Sequence, residues 1–261
     1  MNCILLPAAN ISTPFAHIQD AAQMKHITEI LGAAVGDTLK IGQVGGNLGT
    51  AVIKNITATQ IQLVDVELTS APPPKLAVTV VLALPRPKVL RRLIMDMTAL
   101  GVRDIILINS YRTQKSYWQS PLLARLDEFV LEGLQQGVDT VAPKIRLQKR
   151  FKPFVEDELA SLITESAIVA HPYSELSFNQ YLNALSVAQS SETIQAGGLL
   201  EKTNTVMPSM VCIGAEGGWI DYEVELLAAH GCQPVNIGKR ILRTEAAVNV
   251  MLGQWLLHRS D

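Results

Sequence analysis

Three consecutive prolines, Pro72-Pro73-Pro74, divide this chain into two stretches with different folding grammars. None of the three has a backbone N–H, and each holds φ at about −65°, so neither a sheet ladder nor a helix can run through them. Before them, short alternating apolar runs dominate: Leu39 to Gly42, Thr50 to Ile56, and Gln60 to Glu67. A period of two marks strands with one buried face. Gly36-Asp37 and Gly45-Gly46-Asn47 lie between the runs and supply turns that tolerate positive φ. One helical piece, Ala21 to Leu31, interrupts them. Residues 1–73 are therefore expected to form a small β-barrel-like domain.

After the prolines, strand patterns alternate with helical ones. Leu76 to Leu84 is a continuous apolar run, as in a strand buried on both faces. A helix from about Pro87 to Leu100 follows, with Gly101 as its terminator. Val102 to Ile108 reads as the next strand and Pro121 to Gln136 as the next helix. Three more strands are expected: Ala167 to Ala170, Val206 to Ile213, and Pro234 to Ile237. A helix from about Thr244 to His258 closes the chain. This order predicts a mainly parallel, open α/β sheet over residues 74–261.

With 48% hydrophobic and 18% charged residues the chain can fill two cores, and its net charge of −2 gives no global attraction to nucleic acid. Its three cysteines are odd in number and lack CxxC spacing, so neither a disulfide framework nor a metal site is expected. The opening MNCILLPAAN lacks the features of a signal peptide, and no apolar run reaches the roughly 18 residues that span a bilayer. A cytoplasmic location without membrane contact is the expectation.

Open parallel sheets bind ligands at the carboxyl ends of their strands. Three such ends carry irregular loops here: His171-Pro-Tyr-Ser174, Gly214-Ala-Glu-Gly-Gly218 and Gly238-Lys-Arg-Ile-Leu-Arg243. The glycine loop is neither GxGxxG nor GxxxxGK[ST], and the Glu216 carboxylate would repel a phosphate resting on its backbone. An adenosine ligand with no phosphate and some positive charge suits it better. S-adenosylmethionine meets that description.

The segment Ile213-Gly-Ala-Glu-Gly-Gly-Trp-Ile-Asp-Tyr-Glu-Val-Glu225, followed by Ile237-Gly-Lys-Arg-Ile-Leu-Arg-Thr-Glu-Ala-Ala247, resembles the RsmE family. That family's paired motif is close to IGPEGGF-S-x-x-E and LGxRILRTETA. Ala215 stands for the usual Pro, Asp221 for the usual Ser, and Ala246 for the second Thr. His26 to Leu31 and Val35-Gly-Asp37 resemble the same family's PUA-like barrel, and Ala99-Leu-Gly-Val102 its ELGV helix end.

The resemblance implies a SPOUT-superfamily methyltransferase with a trefoil knot, acting on N3 of a uridine in 16S ribosomal RNA as a homodimer. Carried over by motif, His171, Pro172, Ile213, Gly214, Glu216, Gly217 and Gly218 would line the S-adenosylmethionine site. Ile237, Gly238, Arg240, Ile241, Leu242 and Arg243 would complete it. Arg243 is the candidate catalytic group, stabilising the uridine anion; packing against carbonyls of the knot is its structural alternative. His171 contacts the cofactor or caps a strand end. Thr244 reads as a helix N-cap, Trp219 as packing under the loop, and the apolar face of the last helix as core or interface.

Arg86, Lys88, Arg91 and Arg92, with Arg240, are the candidate contacts to ribosomal RNA or the small ribosomal subunit. A second basic run, Lys144 to Lys152, reads as a solvated face or a further contact. Gly32, Asp96 and Asp139 occupy positions where the family pattern is basic or otherwise different. A divergent paralogue with another RNA target and an RNA-binding protein without catalysis therefore stay open.

Overall fold

A computed structural model describes residues 1–195 and 207–258, which divide into two compact units. The first comprises residues 1–75 together with 94–101 and 126–143. Its six strands are β1 (Ile4–Leu6), β2 (Ile11–Ser12), β3 (Phe15–Ile18), β4 (Thr38–Gln43), β5 (Leu48–Ile56) and β6 (Ile61–Ser70), in the order β1-β4-β5-β6-β3-β2. β1 and β4 are parallel and every other pair is antiparallel. The expected alternation places Leu39, Ile41, Ala51, Ile53, Ile61 and Leu63 in one core, with Ile27 of the helical segment against them. The pairing of β5 with β6 is irregular at three places. Such bulges raise local twist and curl a sheet.

The expected first helix is α-helical over Ala21–Lys25 and then widens to a π-helix over His26–Ile30. Asp20 caps it, its carboxylate accepting from the Gln23 N–H at 2.8 Å. The buried Gln23 amide donates to the Leu5 carbonyl at 2.9 Å and to Gln135 at 3.1 Å, which ties the helix to β1.

The second unit holds β7 (Leu76–Ala83), β8 (Val102–Ile108), β9 (Lys144–Gln148), β10 (Ala167–Ala170), β11 (Met210–Ile213) and β12 (Cys232–Val235). They form one parallel sheet in the order β12-β10-β11-β7-β8-β9. Ala170 lies opposite both Ile213 and Val235, so the three strands end level. That register brings three loops, scattered over seventy residues of sequence, to one edge of the sheet.

Several expected bounds shift. Val206 lies outside the described residues, and the strand there is Met210–Ile213. The last strand ends at Val235, because the Asn236 side chain is committed to loop carbonyls and its backbone makes only an isolated bridge to Ser177. The helix expected from Pro121 starts as a 3-10 turn, Pro121–Arg125, before the α-helix Leu126–Gly137.

Among the elements not anticipated are a strand and a helix of the second unit. β9 is an edge strand hidden in the second basic run, where Arg146 pairs with Glu158 at 2.6 Å and Lys152 with Glu156 at 3.5 Å. Charged side chains on an exposed edge discourage pairing with another chain. The helix Phe178–Gln195 opens with a capping box: the Ser177 hydroxyl accepts from the Gln180 N–H at 3.2 Å, and Gln180 accepts from the Ser177 N–H at 2.9 Å.

The four apolar residues of the helix Thr244–Leu257 singled out from the sequence are core. Val248, Met251, Leu252 and Trp255 are buried, and the Trp255 indole donates to the Pro208 carbonyl at 2.9 Å. No helix among the described residues is long and apolar enough to cross a membrane.

Candidate functional site

The three level strand ends surround one pocket in the second unit. His171 and Pro172 line it from the loop after β10. Ile213, Gly214, Glu216, Gly217 and Gly218 line it from the loop after β11. Ile237, Gly238, Arg240, Ile241 and Leu242 line it from the loop after β12. Twelve of the thirteen residues expected at the cofactor site, all but Arg243, therefore meet around one cavity.

Asn236, not anticipated, holds two of these loops together. Its amide donates to the Ser174 carbonyl at 2.7 Å and the Leu176 carbonyl at 3.3 Å, while its oxygen accepts from the Gly238 N–H at 2.9 Å. The glycine loop is equally constrained. The Gly218 N–H donates to the Ala215 carbonyl at 2.8 Å, and φ at Gly218 is +68°, a region that disfavours L side chains. A Cβ on Gly214 would lie 2.9 Å from backbone atoms of Gly218 and Trp219.

Two cations, Arg112 and Arg240, and one carboxylate, Glu216, line the pocket. The Glu216 carboxylate accepts from the Arg86 backbone N–H at 3.1 Å and from its Nε at 3.1 Å. Hydrogen bonding to Glu216, and then its charge, push Arg86 further above the ordinary arginine value. The Arg112 guanidinium donates to the Gly217 carbonyl and covers that side of the loop. Burial lowers His171 below the ordinary histidine value of 6.5, with Asp221 opposing the shift, so its imidazole is neutral at pH 7. Trp219 is buried against Phe151 at 5.7 Å, as expected, but its indole N–H has no protein partner.

A second cavity adjoins the first, and Glu216 and Thr244 line both. Arg86, Lys88, Arg92 and Arg243 bring four cations to it. Arg92 is paired with Glu245 at 3.1 Å. Tyr117 supplies an aromatic wall. The basic cluster of the helix Pro87–Ala99 and the arginine of the last loop thus face one groove beside the pocket. Arg91 does not line it.

The RNA methyltransferase domain family matches this chain over residues 72–256. The chain belongs to that family. The curated ribosomal RNA small subunit methyltransferase E of Treponema pallidum is 27% identical over 224 residues, covering 85% of this chain and 77% of the relative. The protein of the same name from Synechocystis is 28% identical over 235 residues, covering 89% and 70%. A methyltransferase of Legionella pneumophila, solved with S-adenosylmethionine, shares the fold at TM-score 0.71 and 18% identity, covering 98% of this chain and 97% of that one. The Neisseria gonorrhoeae ribosomal RNA small subunit methyltransferase E, bound to S-adenosylmethionine, gives TM-score 0.71 at 17% identity and 98% and 97% coverage.

In this RNA methyltransferase domain the helix Asp221–Ala229 is capped by Ile220, not by Asp221. Isoleucine has no acceptor, so only half of a capping box exists. The buried Glu223 carboxylate accepts from the Ile220 N–H at 3.0 Å and, across the fold, from the Tyr111 N–H at 2.7 Å. Glu223 thereby fixes the far end of the glycine loop. Replacing Glu223 with Ala leaves two N–H groups unpaired and is expected to cost about 2–3 kcal/mol. Thermal denaturation measures it; an unchanged melting temperature would remove Glu223 as the loop anchor.

Proposed function

We propose that this chain is an S-adenosylmethionine-dependent methyltransferase that modifies N3 of a uridine in 16S ribosomal RNA. The observation that carries the reading is the level ending of β10, β11 and β12, which gathers three loops into one pocket beside a cationic groove. The pocket fits the cofactor on its own chemistry. Gly214 lets the loop close on its own backbone, Gly218 leaves open space that a side chain would enter, the Trp219 indole N–H lacks a partner, and the glycine loop carries a carboxylate where a phosphate binder would not. His171, neutral, does not repel a sulfonium.

Bound S-adenosylmethionine supplies a methyl group activated by its positively charged sulfur. The chain's residues do the rest. The three loops fix the donor's orientation, which removes much of the entropic barrier to in-line transfer. Arg243 lies in the neighbouring groove, where a guanidinium beside the uracil carbonyl oxygens favours the base with its N3 proton removed. Arg86, Lys88, Arg92 and Arg240 offer contacts to RNA phosphates, although Arg86 and Arg92 must share their charge with Glu216 and Glu245.

We also read residues 1–73 as a PUA-like RNA-binding barrel and 74–261 as a SPOUT methyltransferase domain in the cytoplasm. A trefoil knot in that domain is part of the same reading, resting on the paired motifs at Ile213 to Glu225 and Ile237 to Ala247. A homodimer is supported by the outer face of the last helix, where Val250, Leu256 and Leu257 are exposed.

Mass-spectrometric nucleoside analysis of 16S ribosomal RNA from cells with and without the gene tests the assignment. Loss of one N3-methyluridine is expected, and an unchanged profile would refute the target. A second test uses pH. Burial moves protonation of His171 below the ordinary histidine range, and protonation places a cation beside the sulfonium, so S-adenosylmethionine affinity should hold through neutral pH and fall only at acid pH. In His171→Gln the titration curve should be flat; an equal fall in that variant would place the pH dependence elsewhere.

A further inference from the structure

Resting on the reading of residues 1–73 as an RNA-binding barrel, we infer how that barrel holds RNA: Phe15 stacks one unpaired base while Lys54 holds the adjoining phosphate. This platform uses none of the residues of the methyl-transfer pocket.

The strand pattern builds the platform. In β3, Ala16 and Ile18 point into the core, so Phe15 and His17 point outward. His17 is opposite Gln62 of β6, whose neighbours Ile61 and Leu63 are buried. On β5, Lys54 follows the buried Ile53 and faces out as well. The outer face of three adjacent strands thus presents Phe15, His17, Gln62 and Lys54, and a concave surface runs between them with Asn10 and Gln60 at its margin.

Three features point to a base. Phe15 is 52% exposed, although a phenylalanine on a small sheet has an apolar core within reach. The Lys54 ammonium lies 5.8 Å from the ring centroid, over its face. This orients the ring and puts a cation where a nucleotide's phosphate would follow a stacked base. The polar side chains beside them are the amides of Asn10, Gln19, Gln60 and Gln62, the Ser12 hydroxyl and the His17 imidazole, groups that hydrogen-bond the edges of an unstacked base. One cation and no carboxylate line the surface, so nothing there repels phosphate. A duplex keeps its bases stacked on each other and cannot use the ring.

The test uses the full chain and a single-stranded RNA dodecamer carrying one 2-aminopurine, with the same sequence closed in a hairpin stem as comparison. Wild-type protein is expected to quench 2-aminopurine in the single strand and to bind the stem more weakly. Phe15→Ala should lose the quenching and bind the single strand about tenfold less tightly, whereas Phe15→Trp should keep both. Lys54→Gln should reduce the slope of log affinity against log salt by about one phosphate's worth.

Both positions are exposed, and melting temperatures and S-adenosylmethionine binding should match wild type in every variant. Equal single-strand binding by wild type and Phe15→Ala, or a preference for the stem, overturns the inference. Absence of S-adenosylmethionine binding in the wild type would overturn the methyltransferase reading and leave the platform standing.

Discussion

Replacing Arg243 with alanine is expected to slow methyl transfer about 10²- to 10³-fold while leaving S-adenosylmethionine affinity within about threefold. The expectation comes from where the side chain lies. Its neighbours in the same loop, Arg240, Ile241 and Leu242, line the pocket, whereas Arg243 lines the groove beside it. A cation there acts on charge that develops on the acceptor ring as N3 loses its proton, and such charge is largest in the transition state. Removing it therefore raises the chemical barrier more than it weakens donor binding. Arg243→Lys keeps the charge but loses the planar fork, and should fall between the two. Single-turnover transfer to small ribosomal subunits, with calorimetry for the cofactor, separates the effects. Wild-type turnover in Arg243→Ala would remove the residue from the chemistry. A parallel loss of cofactor affinity would put it in the pocket after all.

Gly214→Ala is expected to raise the dissociation constant for S-adenosylmethionine about tenfold to hundredfold, with a lower melting temperature. The added Cβ would come within 2.9 Å of the Gly218 Cα, the Gly218 carbonyl carbon and the Trp219 nitrogen. All three are backbone atoms, so no rotamer change relieves the contact. The loop must move instead, at a cost of about 1–3 kcal/mol. Gly217→Ala is the matched comparison, because the nearest atoms to its Cβ all belong to the exposed Arg112 side chain, whose outer part can turn away at the expense of one hydrogen bond while its Cβ, at 3.1 Å, needs only a small shift. Calorimetry and thermal melts on both variants test the contrast. Equal effects at the two positions would mean that glycine matters here for chain flexibility and not for space.

Much of this site was legible before the fold was known. Each of the three loops follows an apolar run, and the two glycine loops with the His171-Pro172 turn marked three strand ends as candidate ligand sites. Twelve of thirteen expected pocket residues come from those loops. Asn236 was legible in part, since an asparagine one residue before a turn often bonds its own backbone. The helix beginning at Phe178 also left a signal in Phe178, Tyr181, Leu182 and Leu185, spaced as on one helical face. β9 did not, because as an edge strand its outward residues are charged and its run reads as a solvated patch.

What the sequence determined by itself was local: the break at Pro72 to Pro74, the strand and helix periods, and the residue types that glycine loops require. The tertiary structure alone decided which partners those residues meet. Arg86 with Glu216, Tyr111 with Glu223, and Arg112 with Gly217 join positions 130, 112 and 105 residues apart. No periodicity spans such distances. Periodicity reports which face of an element is buried, whereas a long-range contact depends on sheet order and register, and here the order β12-β10-β11 set both the pocket and the groove beside it.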